Sequence, residues 1–244
     1  MKDTQLPEAA MVFAAGLGTR MRPLTDHLPK PLVRVGGRAL MDHMLDRFAE
    51  AGVARAIVNV HYLADQIEAH LLARARPHVL ISDERALLLD QGGGIKRALP
   101  LLGSGPFLAC NTDAFWIEQR APVLADLAAA WDPDKMDFLL LVAERATSVG
   151  VDWPGDFDRD AAGRLSKRAE GAAAPWVYSG VAILPTAPFA AAPGDVFRLA
   201  PFFFEAAMRG RLYGHRLAAT WLHVGTPQAI GEAEAALALA LGRG

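Results

Sequence analysis

The chain is 244 residues long, with 27 acidic and 25 basic side chains, a formal net charge of -2, 52% hydrophobic residues and a single cysteine. Near-neutral charge gives no electrostatic footprint for DNA, RNA or an anionic membrane, and one cysteine, Cys110, excludes both an internal disulfide framework and a cysteine-rich zinc site. No apolar run reaches the roughly 18 to 20 residues of a membrane span, and Met1 to Ala10 lacks the apolar core of a signal peptide, so a soluble, cytoplasmic chain is expected.

Ala10 to Ala15 is a short apolar run ending at Gly16, as a buried strand does. Leu40 to Ala51 carries Leu40, Met44, Leu45 and Phe48 on one helical face, with Gly52 placed to stop the helix. Ala56 to Val60 reads as strand, Leu63 to Ala75 as amphipathic helix, Val79 to Ile81 as strand and Ile95 to Leu102 as helix. Phe107 to Cys110 follows as strand, Val123 to Trp131 as helix and Phe138 to Val142 as strand. Thr147 to Ala174, rich in Gly, Asp, Arg and Ala, reads as irregular connections. Trp176 to Leu184 resumes as strand, Val196 to Met208 as helix, Leu212 to Leu217 as strand and Pro227 to Leu241 as an alanine-rich helix. This alternation predicts an α/β protein: a single Rossmann-like three-layer domain over residues 1–244 with a mainly parallel mixed sheet. Ligands bind such sheets at the carboxyl ends of the strands, which singles out the loops after Ala15, Ile81 and Cys110. The segments beyond Ala143 are expected to wall the same pocket.

The first loop reads Ala14-Ala15-Gly16-Leu17-Gly18-Thr19-Arg20, continuing through Pro23 and Thr25 to Pro29-Lys30-Pro31-Leu32. A glycine-rich turn after a strand lets backbone N–H groups approach phosphates without a Cβ in the way. Arg20 and Lys30 add fixed positive charge suited to a polyanion. Met21 occupies the third glycine of a dinucleotide fingerprint, and the Gly-Lys-Ser/Thr of a Walker A loop is absent. Taken alone, Gly16 and Gly18 are equally explained by a tight turn. Asp90-Gln91-Gly92-Gly93-Gly94 opens a helix with backbone donors, or is a flexible loop. Asp113, just beyond the strand Phe107 to Cys110, is a natural Mg²⁺ ligand facing phosphates, or the start of a turn.

These motifs resemble the sugar-1-phosphate nucleotidyltransferases, whose signature of an apolar strand, Ala-Ala-Gly-x-Gly-Thr-Arg, Pro-x-Thr and Pro-Lys-Pro-Leu stands between Ala14 and Leu32. The resemblance implies the nucleotide-diphospho-sugar transferase fold. It also implies a nucleotide-binding half over residues 1–145, a sugar-binding half over 146–244, and small-molecule substrates rather than nucleic acid or membrane. It implies that Ala14, Ala15, Gly16, Gly18 and Thr19 wrap a nucleoside triphosphate. Arg20 then stabilises the leaving pyrophosphate, Lys30 contacts phosphates, Asp113 binds Mg²⁺, and Gln91 with Gly93 meets the base. Asn111, Ser179, Gly180 and Lys167 are the sugar-side candidates; Asn59 and His61 could reach the sugar or simply end a strand. Within Trp221-Leu222-His223-Val224-Gly225-Thr226, the family's second metal-binding Asp is replaced by His223. Imidazole is softer than carboxylate, so Mn²⁺ or Co²⁺ would be tolerated relatively better. Alternatively His223 contacts a phosphate, or only packs.

The Gly-Gly-Gly form is similar to one branch, the N-acetylmuramate-1-phosphate uridylyltransferases of peptidoglycan recycling, and the length argues against the longer pyrophosphorylases with an appended left-handed β-helix. The activity so implied is transfer from UTP to N-acetylmuramate 1-phosphate. Mannose-1-phosphate guanylyl transfer, another hexose-1-phosphate reaction, and a catalytically impaired nucleotide-sugar-binding paralogue are the alternatives. The oligomeric state is not legible.

Overall fold

The computed structural model describes residues 6–117 and 122–242; part of the segment bearing on a signal peptide, residues 1–5, lies outside them. The first half builds a parallel sheet from β1 (Ala9–Phe13), β4 (Arg55–Val60), β5 (His78–Asp83) and β6 (Phe107–Asn111). The small β2 (Arg34–Val35) and β3 (Arg38–Ala39) pair with each other. β1 lies between β4 and β6, with Val12 opposite Val58 on one side and Cys110 on the other; β5 continues the parallel run beyond β4. The remaining elements are α1 (Leu40–Ala51), α2 (Ala64–Leu71), α3 (Asp90–Leu102), β7 (Ala114–Ile117), α4 (Val123–Ala130), β8 (Phe138–Glu144), β9 (Phe157–Arg159), β10 (Leu165–Lys167), β11 (Trp176–Leu184), α5 (Ala187–Ala190), α6 (Ala200–Met208), β12 (Leu212–Arg216), β13 (Thr220–His223) and α7 (Pro227–Ala240).

The sheet becomes mixed where the second half joins. β11 runs antiparallel to β6 and to β8, and β12 returns parallel to β8. The β9–β10 hairpin hangs from the start of β11 at Trp176. Alternation along β1 divides the apolar core between the two faces: Ala10 and Val12 join α1, α2 and α4, whereas Ala9 and Met11 join α3 and α6. Both faces of β1 are therefore covered, and its residues read as a continuous apolar run. α1 ends where expected, at Gly52, whose φ of 89° lets its N–H reach the carbonyls of Phe48 and Ala49.

Several boundaries differ from the sequence expectation. α3 begins at Asp90 rather than Ile95, because the three glycines are helical. The stretch expected to be irregular contains β9 and β10. α6 starts at Ala200, and Val196 to Leu199 is an extended approach and turn that reaches the N-terminal part of α3. β7, which had no strand signature of its own, pairs with β13 so that Ala114 lies opposite His223.

Candidate active site

The carboxyl ends of β1, β4, β5 and β6 open into a cleft of about 590 Å³. Ala14, Ala15, Gly16, Gly18, Thr19, Arg20 and Lys30 line it together with Gln91, Asn111 and Asp113. The two glycines of the first loop differ in what demands them. Gly18 has a φ of 62°, and a Cβ there would lie 3.1 Å from both Lys30 Cβ and Thr25 Cγ2; Thr25 Oγ1 also donates to the Gly18 carbonyl at 2.8 Å. Gly18 is therefore required by the fold of the loop itself. A Cβ at Gly16 would meet nothing within 4 Å, so the space above Gly16 belongs to the cleft.

Lys30 Nζ donates to Asp113 Oδ2 at 2.8 Å, with side-chain exposures of 12% and 22%. His223 Nε2 stands 3.7 Å from the same oxygen, outside hydrogen-bond distance. Burial acts to raise the Asp113 pKa, but the neighbouring His223 and Lys30 override it and hold the carboxyl well below the usual carboxylate range. The other ring nitrogen, His223 Nδ1, lies 3.1 Å from the Gly150 carbonyl. A carbonyl only accepts, so Nδ1 carries the proton and, in the neutral ring, Nε2 turns its lone pair toward Asp113. Trp221 stacks on the imidazole at 5.8 Å and Trp153 meets it edge-on at 5.1 Å. A Cβ at Gly225 would approach His223 Cε1 to 2.4 Å, so the glycine of this motif makes room for the ring. His223 lines a neighbouring recess of about 370 Å³ that it shares with Gly150 and Arg20. Arg20 borders both spaces, is exposed, and has no hydrogen-bond or ion-pair partner among the described residues.

Glu84 was not singled out from the sequence, yet it is a buried carboxylate in the wall of the cleft at 1% exposure. It accepts from Asn59 Nδ2 at 2.8 Å and from the Leu89 N–H at 3.3 Å, while Asn59 Oδ1 accepts the Ala14 N–H at 2.8 Å. Asn59 thus braces the first loop instead of projecting as a free sugar contact. His61 Nδ1 lies 2.7 Å from the Glu84 carbonyl. Thr112 Oγ1 donates to the Phe13 carbonyl at 2.9 Å, tying the ends of β6 and β1 together.

Three expected contacts do not face the clefts. Gly93 is buried, gives its N–H to the Phe197 carbonyl at 3.1 Å, and leaves no room for a Cβ, which would lie 1.9 Å from the Asp195 carbonyl oxygen. Gly92 and Gly93 admit Phe197 and the Asp195 backbone against α3, and Gly94 makes room for the Glu84 and Asn59 side chains. Ser179 and Gly180 are also buried, at the register shift between β11 and β8. Gly180, with φ of 89°, backs onto Asn111, and the Ser179 carbonyl accepts from Trp221 Nε1. Gln91 does reach the cleft, where Nε2 donates to Asn111 Oδ1 at 2.9 Å. Gln91 also borders a second recess of about 270 Å³, lined by Lys167, Tyr178 and Phe204 among others. Of the tryptophans, Trp116 is core, and its ring stacks under the Arg47 guanidinium.

Among the described residues no group of three or more His, Cys, Asp or Glu side chains gathers to hold a metal. The protein offers one carboxylate and one imidazole, Asp113 and His223, 3.7 Å apart at their facing atoms. That set fits a divalent ion completed by substrate phosphates and water, the usual way Mg²⁺ is bound.

The model of the MobA-like NTP transferase domain matches residues 10–220. The chain belongs to that family. It is 48% identical to N-acetylmuramate alpha-1-phosphate uridylyltransferase of Caulobacter vibrioides, over 96% of this chain and 99% of that one. The same enzyme of Neisseria meningitidis is 35% identical over 93% and 96%. The fold of this NTP transferase is shared with a UDP-glucose pyrophosphorylase solved with UDP-glucose, at a TM-score of 0.77, 17% identity, and coverage of 94% and 97%. With full-length relatives of this kind, the chain is a sugar-1-phosphate nucleotidyltransferase.

Proposed function

We propose that this nucleotidyltransferase transfers the uridylyl group of UTP to N-acetylmuramate 1-phosphate, releasing pyrophosphate. The observation that carries the sugar and the base is the 48% identity to an enzyme of that name, spanning both chains nearly end to end. Relatives named for mannose-1-phosphate guanylyl transfer, such as that of Drosophila melanogaster, match only 43% of this chain at 32% identity, which supports that reading less.

An ionised phosphate oxygen of the sugar 1-phosphate forms the new bond to the α-phosphorus, while the bond from that phosphorus to the oxygen of the departing pyrophosphate breaks. The nucleophile is already deprotonated at neutral pH, so no strong general base is needed. The obstacle is the mutual repulsion of two polyanions, and the protein's part is positioning and charge neutralisation. Lys30 presents its ammonium from the floor of the cleft, where Asp113 fixes its position. Arg20, uncommitted at the junction of cleft and recess, stabilises charge on the pyrophosphate. The backbone from Ala14 to Thr19 follows the phosphates over the open space at Gly16. Asp113 and His223 would hold Mg²⁺, or Mn²⁺ or Co²⁺ in its place, and the bound ion would supply positive charge to the reacting phosphates. Residues 1–145 act as the nucleotide half and 146–244 as the sugar half of one domain. The product fits peptidoglycan recycling in the cytoplasm.

Pyrophosphate release from the common nucleoside triphosphates against several sugar 1-phosphates, with Mg²⁺ and with Mn²⁺, tests this. Turnover centred on UTP and N-acetylmuramate 1-phosphate is expected. Turnover with another pair would leave the reaction class and replace the substrates; silence across the whole matrix would overturn the proposal.

A further inference from the structure

The recess beside the main cleft has a composition unlike the phosphate site. Its floor is apolar and aromatic, with Phe157, Phe203, Phe204 and the ring of Tyr178, and it joins the main cleft at Gln91. Lys167 stands at its rim with Nζ 4.5 Å from the centroid of the Phe204 ring, a geometry that holds a cation over an apolar wall.

Asp156 is the one carboxylate in the lining, and it is already engaged. Oδ1 accepts from Trp153 Nε1 at 3.0 Å and Oδ2 from the Tyr178 N–H at 2.9 Å. Arg168 is likewise committed, donating to the carbonyls of Gly155, Ala169 and Ala172. Lys167, by contrast, has no hydrogen-bond or ion-pair partner among the described residues, and its one contact of this kind is with the Phe204 ring. A cation held over an aromatic floor beside a carbohydrate site suits a substituent that is partly apolar and ends in an anion.

We propose that this recess receives a carboxylate-bearing substituent of the sugar, and that Lys167 pairs with that carboxylate and so sets the preference for an acidic over a neutral amino sugar. The inference rests on the reading that N-acetylmuramate 1-phosphate is the substrate, since its lactyl ether supplies both the short apolar arm and the carboxylate. N-acetylglucosamine 1-phosphate is the same sugar without that ether. The phosphates of the two are identical, so a lysine that served the phosphate would not tell them apart.

The test measures binding of the two nucleotide-sugars, UDP-N-acetylmuramate and UDP-N-acetylglucosamine, to the full chain by calorimetry, for the wild type and for Lys167→Met. Methionine keeps an unbranched stem over Phe204 and removes the charge. The expected result is a wild-type preference for the acidic compound that falls about tenfold in the variant, the scale of a charge-assisted contact on a partly apolar surface. A second variant, Lys167→Arg, keeps the charge and is expected to retain most of the preference. Equal loss for both compounds would overturn the proposal and make Lys167 a contact to a shared part of the ligand. An unchanged ratio in Lys167→Met, or no wild-type preference, would overturn it as well. Turnover of the wild type with the two sugar 1-phosphates is read separately. Robust turnover of the acidic sugar with an unchanged binding ratio defeats only the role of Lys167, whereas turnover confined to neutral sugars defeats the substrate reading itself.

Discussion

Asn59 Nδ2 donates to Glu84 Oε1 at 2.8 Å inside the wall of the cleft, and through this one bond the first loop is tied to the segment that starts α3. Burial pushes the Glu84 carboxyl up from its ordinary value, against the hydrogen bonds from Asn59 and the Leu89 N–H. The folded protein therefore holds this proton more tightly than the unfolded chain does. Its contribution to stability is largest at low pH and declines as pH rises past the ordinary glutamate value of about 4.3 and through the raised native one. Glu84→Gln is expected to remove that slope from the pH dependence of thermal unfolding. Asn59→Ala leaves Glu84 Oε1 and the Ala14 N–H without their partner, and is expected to cost about 2–4 kcal/mol and to raise the KM for the nucleotide. Thermal melts across pH and steady-state kinetics check both; an Asn59→Ala variant of normal stability and KM would show that the brace is dispensable.

Lys30 and Arg20 supply the same charge to the same cleft under different constraints. Lys30 is nearly buried against Asp113, whereas Arg20 is exposed and unattached. Removing either is expected to lower turnover on the order of 10²-fold, as for loss of one pre-placed transition-state donor. Only Lys30→Ala is expected to lower stability too, because it leaves the Asp113 carboxylate without its ammonium, at a cost of about 1–3 kcal/mol. The native Asp113 carboxyl binds its proton less tightly than in the unfolded chain. Its stabilising contribution is therefore present above about pH 4 and is lost as pH falls below that value, and Lys30→Ala should flatten that acid limb. Chemical denaturation of the two variants, alongside their kinetics, separates the roles.

Gly93 and Gly16 should respond in opposite ways to the same substitution. At Gly93 an added methyl would press on the backbone carbonyl of Asp195, which cannot swing aside as a side chain can. Gly93→Ala is expected to destabilise by about 1–3 kcal/mol despite alanine's better helix propensity. Gly16→Ala meets no protein atom and should leave the melting temperature within about a degree or two, since surface changes of this kind are usually within about 0.5 kcal/mol. Its effect belongs to catalysis, as a raised nucleotide KM. Equal melting temperatures for the two variants would contradict this division.

The inner strands of the parallel half, β1, β4 and β6, were legible because they are mostly buried and read as apolar runs, and α1 because Gly52 marks its end. The glycine-rich loop that lines the cleft was legible because glycine, arginine and lysine stand at fixed spacings next to a strand. The rest required contacts between distant segments. β7 and β13 are recognisable only as a pair, and it is their pairing that carries His223 to Asp113. The glycine run opening α3 looks from the sequence like a ligand loop; Gly92 and Gly93 instead meet Phe197 and Asp195, about a hundred residues away along the chain, and Gly94 meets Asn59 and Glu84. Glu84 carried no local signal, since one acidic residue at a strand end looks exposed until Asn59 and Leu89 close over it.

His223 gives the sharpest test of the proposed metal site. Two tryptophans and the Gly150 carbonyl fix the ring, with Nε2 toward Asp113, so the imidazole is held in one orientation before any ion arrives. A nitrogen donor in place of a carboxylate removes one negative charge and favours ions softer than Mg²⁺. The ratio of turnover with Mn²⁺ to turnover with Mg²⁺ is therefore expected to fall severalfold in His223→Asp, through a gain with Mg²⁺. His223→Ala is expected to lose activity with both ions, because Asp113 remains as a single protein donor. Asp is shorter than His and leaves space between the tryptophans, so the stability of each variant is measured beside its kinetics. A metal ratio identical in the wild type and in a stably folded His223→Asp would remove His223 from the metal and leave it as a contact to phosphate or a packed ring.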